Sequence, residues 1–149
     1  MTTHPPTRVL IADDHRLFAE TLGLTLDADP RLQVVGYARD GREAVKLALA
    51  LEPDVVLMDL DMPLVDGIEA TRVICQSLQM PVAVLTASPL PEDSLRAREA
   101  GAAAYLTKGC SAEEVVHAVL ELATPSARTP SPFEGYRPNH LHFRARLAH

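Results

Sequence analysis

The apolar run at residues 55–58 ends in the stretch LMDLDMP, where Asp59 and Asp61 stand one residue apart. A second acid pair, Asp13 and Asp14, follows the apolar run RVLIA. Two further apolar runs end in groups that bind anions: Thr86 closes VAVLT, and Thr107 and Lys108 follow AAYL. If these run-ends meet, three carboxylates (Asp13, Asp14, Asp59), a hydroxyl and an ammonium share one crevice. Clustered carboxylates raise one another's pKa unless a cation sits among them. Mg²⁺ suits such a set, because it is commonly held by one or two carboxylates, several waters and a phosphate oxygen. Lys108 would then supply a point charge, and Thr86 a hydroxyl donor, to a phosphoryl group.

The elements needed to bring these ends together are legible as a pattern. Short apolar runs at residues 8–12, 32–37, 54–58, 82–86 and 103–106 predict buried strands. Amphipathic stretches at 17–27, 40–51, 67–78, 91–100 and 111–123 predict the helices between and after them. The fourth helix opens with Pro91, Glu92 and Asp93, suited to a helix N-terminus, but its apolar stripe of Leu95, Ala97 and Ala100 is thin. It is expected to be the least firmly docked element. The fifth begins with Ser111 and Glu114 in capping-box spacing. Five βα units in this order predict an α/β, flavodoxin-like, doubly wound (βα)5 fold with a five-stranded parallel sheet of order 2-1-3-4-5. Ligands of such sheets bind beyond the carboxyl ends of the strands, where the acids and Lys108 lie.

Composition sets the bounds. The chain has 149 residues, room for one domain with a full core, assigned to residues 8–123 with a flexible N-terminus at 1–7. No leader-like segment or apolar stretch of membrane-spanning length is present, so a cytoplasmic location away from membranes is expected. Cys75 and Cys110 lack metal-ligand spacing and are expected to be free thiols without function. Residues 1–123 hold 10 Lys and Arg against 19 Asp and Glu, whereas residues 124–149 hold four Arg against one Glu. An acidic body repels nucleic acid phosphates, so no direct nucleic acid contact is expected of it.

At Asp13-Asp14, LMDLDMP with Pro63, Thr86 in VLTAS, and Tyr105 with Lys108 in AYLTK, the chain resembles the receiver domain of two-component response regulators. The stretches DDH, MDLDMP and GAAAYLTKG are most similar to the subgroup that usually carries a C-terminal helix-turn-helix. No such unit fits in residues 124–149, a Pro-rich basic tail read as a linker remnant, although the alternation at Leu141, Phe143, Ala145 and Leu147 suggests an extended strand. The resemblance implies that Asp59 is the phosphoacceptor and that Asp13, Asp14, Asp59 and the Asp61 backbone carbonyl hold Mg²⁺. It also implies that Thr86 and Lys108 contact the phosphoryl group, that Thr86 and Tyr105 form the conformational switch, and that Asp61 and Ser88 tune the lifetime of the acyl phosphate. The implied partners are a sensor histidine kinase and a phosphorylation-dependent second copy. The chain would assist only its own phosphorylation and dephosphorylation and would not be an enzyme.

Two other readings use the same residues. Asp59-Leu60-Asp61 also resembles the DxD nucleophile motif of haloacid-dehalogenase-like phosphatases, which place that motif before the acid pair, the reverse of the order here. A receiver-fold binding module that never uses phosphate is the other, and the full set of acceptor-site residues argues against it. His15 and His117 are expected to be surface or packing residues, and Asp66-Gly67 a turn and helix start only.

Overall fold

In a computed structural model, residues 4–62, 66–87, 90–124 and 140–142 are described, the last three through their backbone. Five parallel strands, β1 (Thr7–Ala12), β2 (Leu32–Ala38), β3 (Val55–Met58), β4 (Val82–Thr86) and β5 (Ala104–Thr107), lie in the expected order 2-1-3-4-5. Helices α1 (Arg16–Asp27), α2 (Gly41–Leu51), α3 (Gly67–Gln76), α4 (Pro91–Ala100) and α5 (Ala112–Ala123) complete the βα units.

The strands read as apolar runs because both faces of the sheet are covered, which removes the need for polar residues at alternate positions. Leu10, Val56, Met58, Val82, Val84 and Tyr105 face a core closed by α2, α3 and α4. Their neighbours Val9, Ile11, Val55, Leu57, Ala83 and Leu106 face the opposite core beneath α1 and α5. Alternation along each strand thus divides one apolar run between two layers.

Helix starts depend on caps that the sequence signals. The Asp40, Asp66 and Ser111 side chains accept the backbone N–H of Glu43, Glu69 and Glu114, and Ser111 with Glu114 forms the full capping box. Ser111 is the cap its spacing signals, and Asp40, placed inside the second helix as its first residue, is a cap as well. Burial on α4 is confined to Ala97 and Ala100, with Leu95 54% exposed, in keeping with its thin stripe.

Several boundaries move. Thr7 belongs to β1, which shortens the expected N-terminal arm, and β5 runs from Ala104 to Thr107, one residue later than the apolar count suggests. Helix α3 stops at Gln76, because the chain turns through Gln79 at φ 58° to enter β4. A sixth strand, β6 (His140–His142), pairs antiparallel with β5, with Leu141 opposite Tyr105. The tail's alternation is realised there as a docked edge strand, in place of the undocked linker expected at those three residues. Its prolines Pro125, Pro130, Pro132 and Pro138, with Phe143, Ala145 and Leu147, lie outside the described residues.

Candidate functional site

The crest of the sheet gathers the run-end residues. Backbone bonds carried past the strands fix two of them: Asp13 donates its N–H to the Ala38 carbonyl and Asp59 to the Ala12 carbonyl, each at 2.9 Å. The two aspartates thus sit side by side, held by the sheet's own ladder. Both are buried, whereas Asp14 is exposed at the rim. Lys108 is placed in the same way, its N–H donating to the Thr86 carbonyl at 2.9 Å. Its side chain reaches back over the crest, leaving Nζ 2.8 Å from Asp13 Oδ2 and 3.5 Å from Asp59 Oδ2.

Asp13, Asp14, His15 and Asp59 each present a ligand atom, all within 4.8 Å of one another. The charge count is unbalanced, since one ammonium faces two buried carboxylates and a third at the rim. Burial is the largest influence on Asp59 and raises its pKa; the Asp13 charge adds to the rise. The Lys108 charge, the Asp61 N–H and a hydrogen bond with the Thr86 side chain pull the other way without cancelling it. The donor set is hard oxygen with excess negative charge and an open, solvent-facing side at Asp14, which fits a hard divalent cation that keeps some of its water. Asp13, Asp14 and Asp59 are the residues that would hold such an ion, and it would neutralise charge and bind an anionic oxygen.

The residues just after β3 and at the start of α3 pack against Asp59. The Asp61 N–H lies 3.4 Å from Asp59 Oδ1, and its own side chain is exposed. The Gly67 N–H donates to the Leu60 carbonyl at 3.1 Å, which holds the start of α3 against the residues after β3. A Cβ on Gly67 would be driven into the Asp59 carbonyl oxygen and would stand 2.6 Å from Leu60 Cα. This corrects the reading of Asp66-Gly67 as turn and helix start alone: the missing side chain of Gly67 lets the start of α3 approach the Asp59–Leu60 backbone.

The remaining expectations divide. Thr86 is fully buried beside Asp59, and Tyr105 is buried on the α4 side of the sheet, closer to core than half-exposed. His15 is exposed at the start of α1, yet its Nδ1 lies 3.5 Å from Asp13 Oδ1, nearer the acids than a surface residue needs to be. His117 is exposed on α5 near Glu121. Cys75 and Cys110 are free, with burial pushing their thiols up to about 12 and about 11. Ser88 and Pro63 lie outside the described residues. One participant is absent from the sequence reading: the Phe18 ring on the first turn of α1 lies under the Lys108 ammonium, with Nζ 4.5 Å from its centroid. Its helical spacing with Leu22 and Leu26 marks it as a core residue, so only its position five residues after Asp13 could have pointed to the crevice.

Comparison with known proteins agrees with this geometry. Residues 9–120 match the response regulator receiver domain family. The transcriptional regulatory protein LiaR of Bacillus subtilis is 44% identical over 129 residues, which cover 86% of this chain and 61% of LiaR. The response regulator GacA of Pseudomonas aeruginosa is 43% identical over 117 residues, covering 77% of this chain and 54% of GacA. The chain thus spans less than two thirds of the length of either relative. Among solved structures, the signal receiver domain of the response regulator NarL from Mycobacterium tuberculosis superposes with a TM-score of 0.77 at 35% identity, covering 80% of this chain and 98% of that domain. The match across nearly the whole βα array, with the acids and Lys108 together at its crest, shows that this chain belongs to the receiver-domain family of two-component response regulators.

Proposed function

We propose that Asp59 accepts a phosphoryl group from the phosphohistidine of a sensor histidine kinase in the cytoplasm. An oxygen–phosphorus bond forms at the Asp59 carboxylate as the phosphorus–nitrogen bond of the donor breaks, leaving the donor imidazole. The observation that carries this reading is the Asp59 carboxylate itself: buried at the end of β3, 3.5 Å from Lys108 Nζ and adjoining two further acids. Mg²⁺ held by Asp13, Asp14, Asp59 and the Asp61 carbonyl would supply charge neutralisation, the main requirement of phosphoryl transfer.

The protein's own residues do the rest. Asp59 is held in place by the Ala12 carbonyl through its backbone, so its carboxylate needs little reorganisation to act. Lys108 and Thr86, both interacting with Asp59, would serve as donors to phosphoryl oxygens. The buried Thr86 and Tyr105 lie on adjacent strands, β4 and β5, and Tyr105 shares a core with Ala97 and Ala100 of α4. Movement of Thr86 toward a bound phosphoryl group would therefore be felt by the element with least buried surface. A second copy covering the altered α4 surface is the proposed output.

The test is incubation with acetyl phosphate and Mg²⁺ followed by intact mass. One phosphoryl group, labile to hydroxylamine and absent from Asp59→Asn, is the expected result. Equal labelling of Asp59→Asn, or modification of Asp61, would refute the assignment.

A further inference from the structure

Among the described residues, the ammonium of Lys108 lies against an aromatic ring and two carboxylates that the proposed function assigns to a metal ion. Nζ lies 2.8 Å from Asp13 Oδ2, 3.5 Å from Asp59 Oδ2 and 4.5 Å from the centroid of the Phe18 ring. Once Asp13 and Asp59 turn their charge toward a divalent cation, both acid contacts weaken. The ring is then the one of these three neighbours whose attraction for Lys108 is unaltered. A lysine on four rotatable bonds would otherwise gain freedom by moving toward solvent.

The ring is well fixed for this purpose. Phe18 is half-buried and packs on the core beneath α1 and α5, with its neighbour Ala19 buried and Leu22 and Leu26 on the same helical stripe. An aromatic face attracts an ammonium through its quadrupole at distances within ~6 Å of the centroid. Apolar packing alone would not require an aromatic here, whereas one face of the ring meets a cation.

We propose that Phe18 is a positioning residue for Lys108, its ring face keeping the ammonium in the crevice, available to a phosphoryl oxygen, when the acids are engaged elsewhere. This rests on the phosphoacceptor reading of Asp59, and it assigns Phe18 a part that the aliphatic core cannot supply. Phe18 touches neither the phosphoryl group nor the metal; it acts through Lys108.

The experiment compares wild type, Phe18→Leu, which keeps an apolar packing group, and Phe18→Tyr, which keeps the aromatic face. In proton NMR spectra of the metal-free protein, the Lys108 ε-methylene protons should be shifted upfield by the ring current in wild type and Phe18→Tyr, and not in Phe18→Leu. In titrations with beryllofluoride at saturating Mg²⁺, Phe18→Leu should bind about 2- to 5-fold more weakly, the range set by a partly exposed cation–π contact, while Phe18→Tyr stays near wild type. Mg²⁺ alone should bind all three alike. Equal beryllofluoride affinity in Phe18→Leu and wild type, or an equal loss in Phe18→Tyr, would overturn the proposal, the second by showing that shape and not the aromatic face matters. An upfield shift in a wild-type protein that takes up no beryllofluoride would overturn the phosphoacceptor reading, and with it the role given to the ring, while leaving the contact itself intact.

Discussion

Replacing Asp59 by Asn should make the metal-free protein more stable, because the crevice carries more negative charge than Lys108 can balance. The ligand atoms of Asp13 and Asp59 lie within 4.8 Å, so at an effective dielectric of ~20 their repulsion is at least about 3.5 kcal/mol. Lys108 at 3.5 Å returns about 4.7 kcal/mol on the same scale. The attraction exceeds the repulsion by at most about 1.2 kcal/mol, less than the several kcal/mol that burying the Asp59 charge costs. Asn keeps the shape and still accepts from the Asp61 N–H, but carries no charge. A gain of about 2 kcal/mol at neutral pH is expected, roughly 6 to 10 °C in Tm for a domain of this size. The pH dependence follows from the raised pKa of Asp59. Between the ordinary carboxylate value and the raised one, the folded protein holds a proton that the unfolded chain has released. Stability of wild type therefore falls as pH rises through that window, and the penalty is in full force above it. The advantage of Asp59→Asn should shrink as pH drops through the same window. Mg²⁺ at ten times its Kd should restore about 1.4 kcal/mol to wild type and less to the variant. Urea denaturation at several pH values, with and without Mg²⁺, measures all of this. A variant less stable than wild type at neutral pH without metal, or a gain independent of pH, would refute the charge account.

Three further outcomes follow from other contacts. Gly67→Ala should destabilise the fold by about 1–3 kcal/mol and shift the backbone resonances of Asp59 and Leu60, since its Cβ has no room against them; denaturation and NMR spectra would check it. Asp14→Ala, which removes an exposed acid from the rim, should weaken Mg²⁺ binding while leaving thermal stability within about 0.5 kcal/mol, as seen by metal titration and melting. Thr71 Oγ1 is buried on α3 with no hydrogen-bond partner among the described residues, so Thr71→Val should be neutral or stabilising by about 1 kcal/mol in urea.

How much of this was legible in the sequence depends on whether a residue's role is local. The strands announce themselves because a strand buried on both faces must be apolar throughout, as VLIA, VVLM and VAVLT are. The acids at their ends then stand out by contrast. The division of labour between Asp13 and Asp14 was not legible: as letters they are equal, and only the return of the Asp13 N–H to the Ala38 carbonyl draws one inward and leaves the other at the rim. Gly67 was hidden for a related reason. A glycine after aspartate at a helix start has a sufficient local explanation, and the close approach of the Asp59–Leu60 backbone is a fact of tertiary packing. Phe18 fits the helical stripe so well that its period conceals its second contact, with Lys108. In the tail, alternation indicates an extended conformation but not what it pairs with, since an edge strand takes most of its binding from backbone groups that every residue carries.

Under the proposed function, the occupied sheet edge affects how a signal would leave the crevice. Strand β5 carries Tyr105 toward the α2, α3 and α4 core, and its inner edge pairs with β4, where Thr107 stands opposite Thr86. Its outer edge is bonded to β6, with Leu141 opposite Tyr105. A shift in Tyr105 that moved the β5 backbone would have to carry or break that outer ladder, whereas a rotation of the side chain alone would not. Antiparallel pairing over three residues is a small restraint, but it acts on the strand that carries Tyr105. The side of least resistance is then α4, held by two buried alanines, and not the sheet edge. Under the proposed function, a rearrangement would enter the helix layer, where a second copy of the chain would find apolar surface at Leu90 and Leu95, both already half exposed.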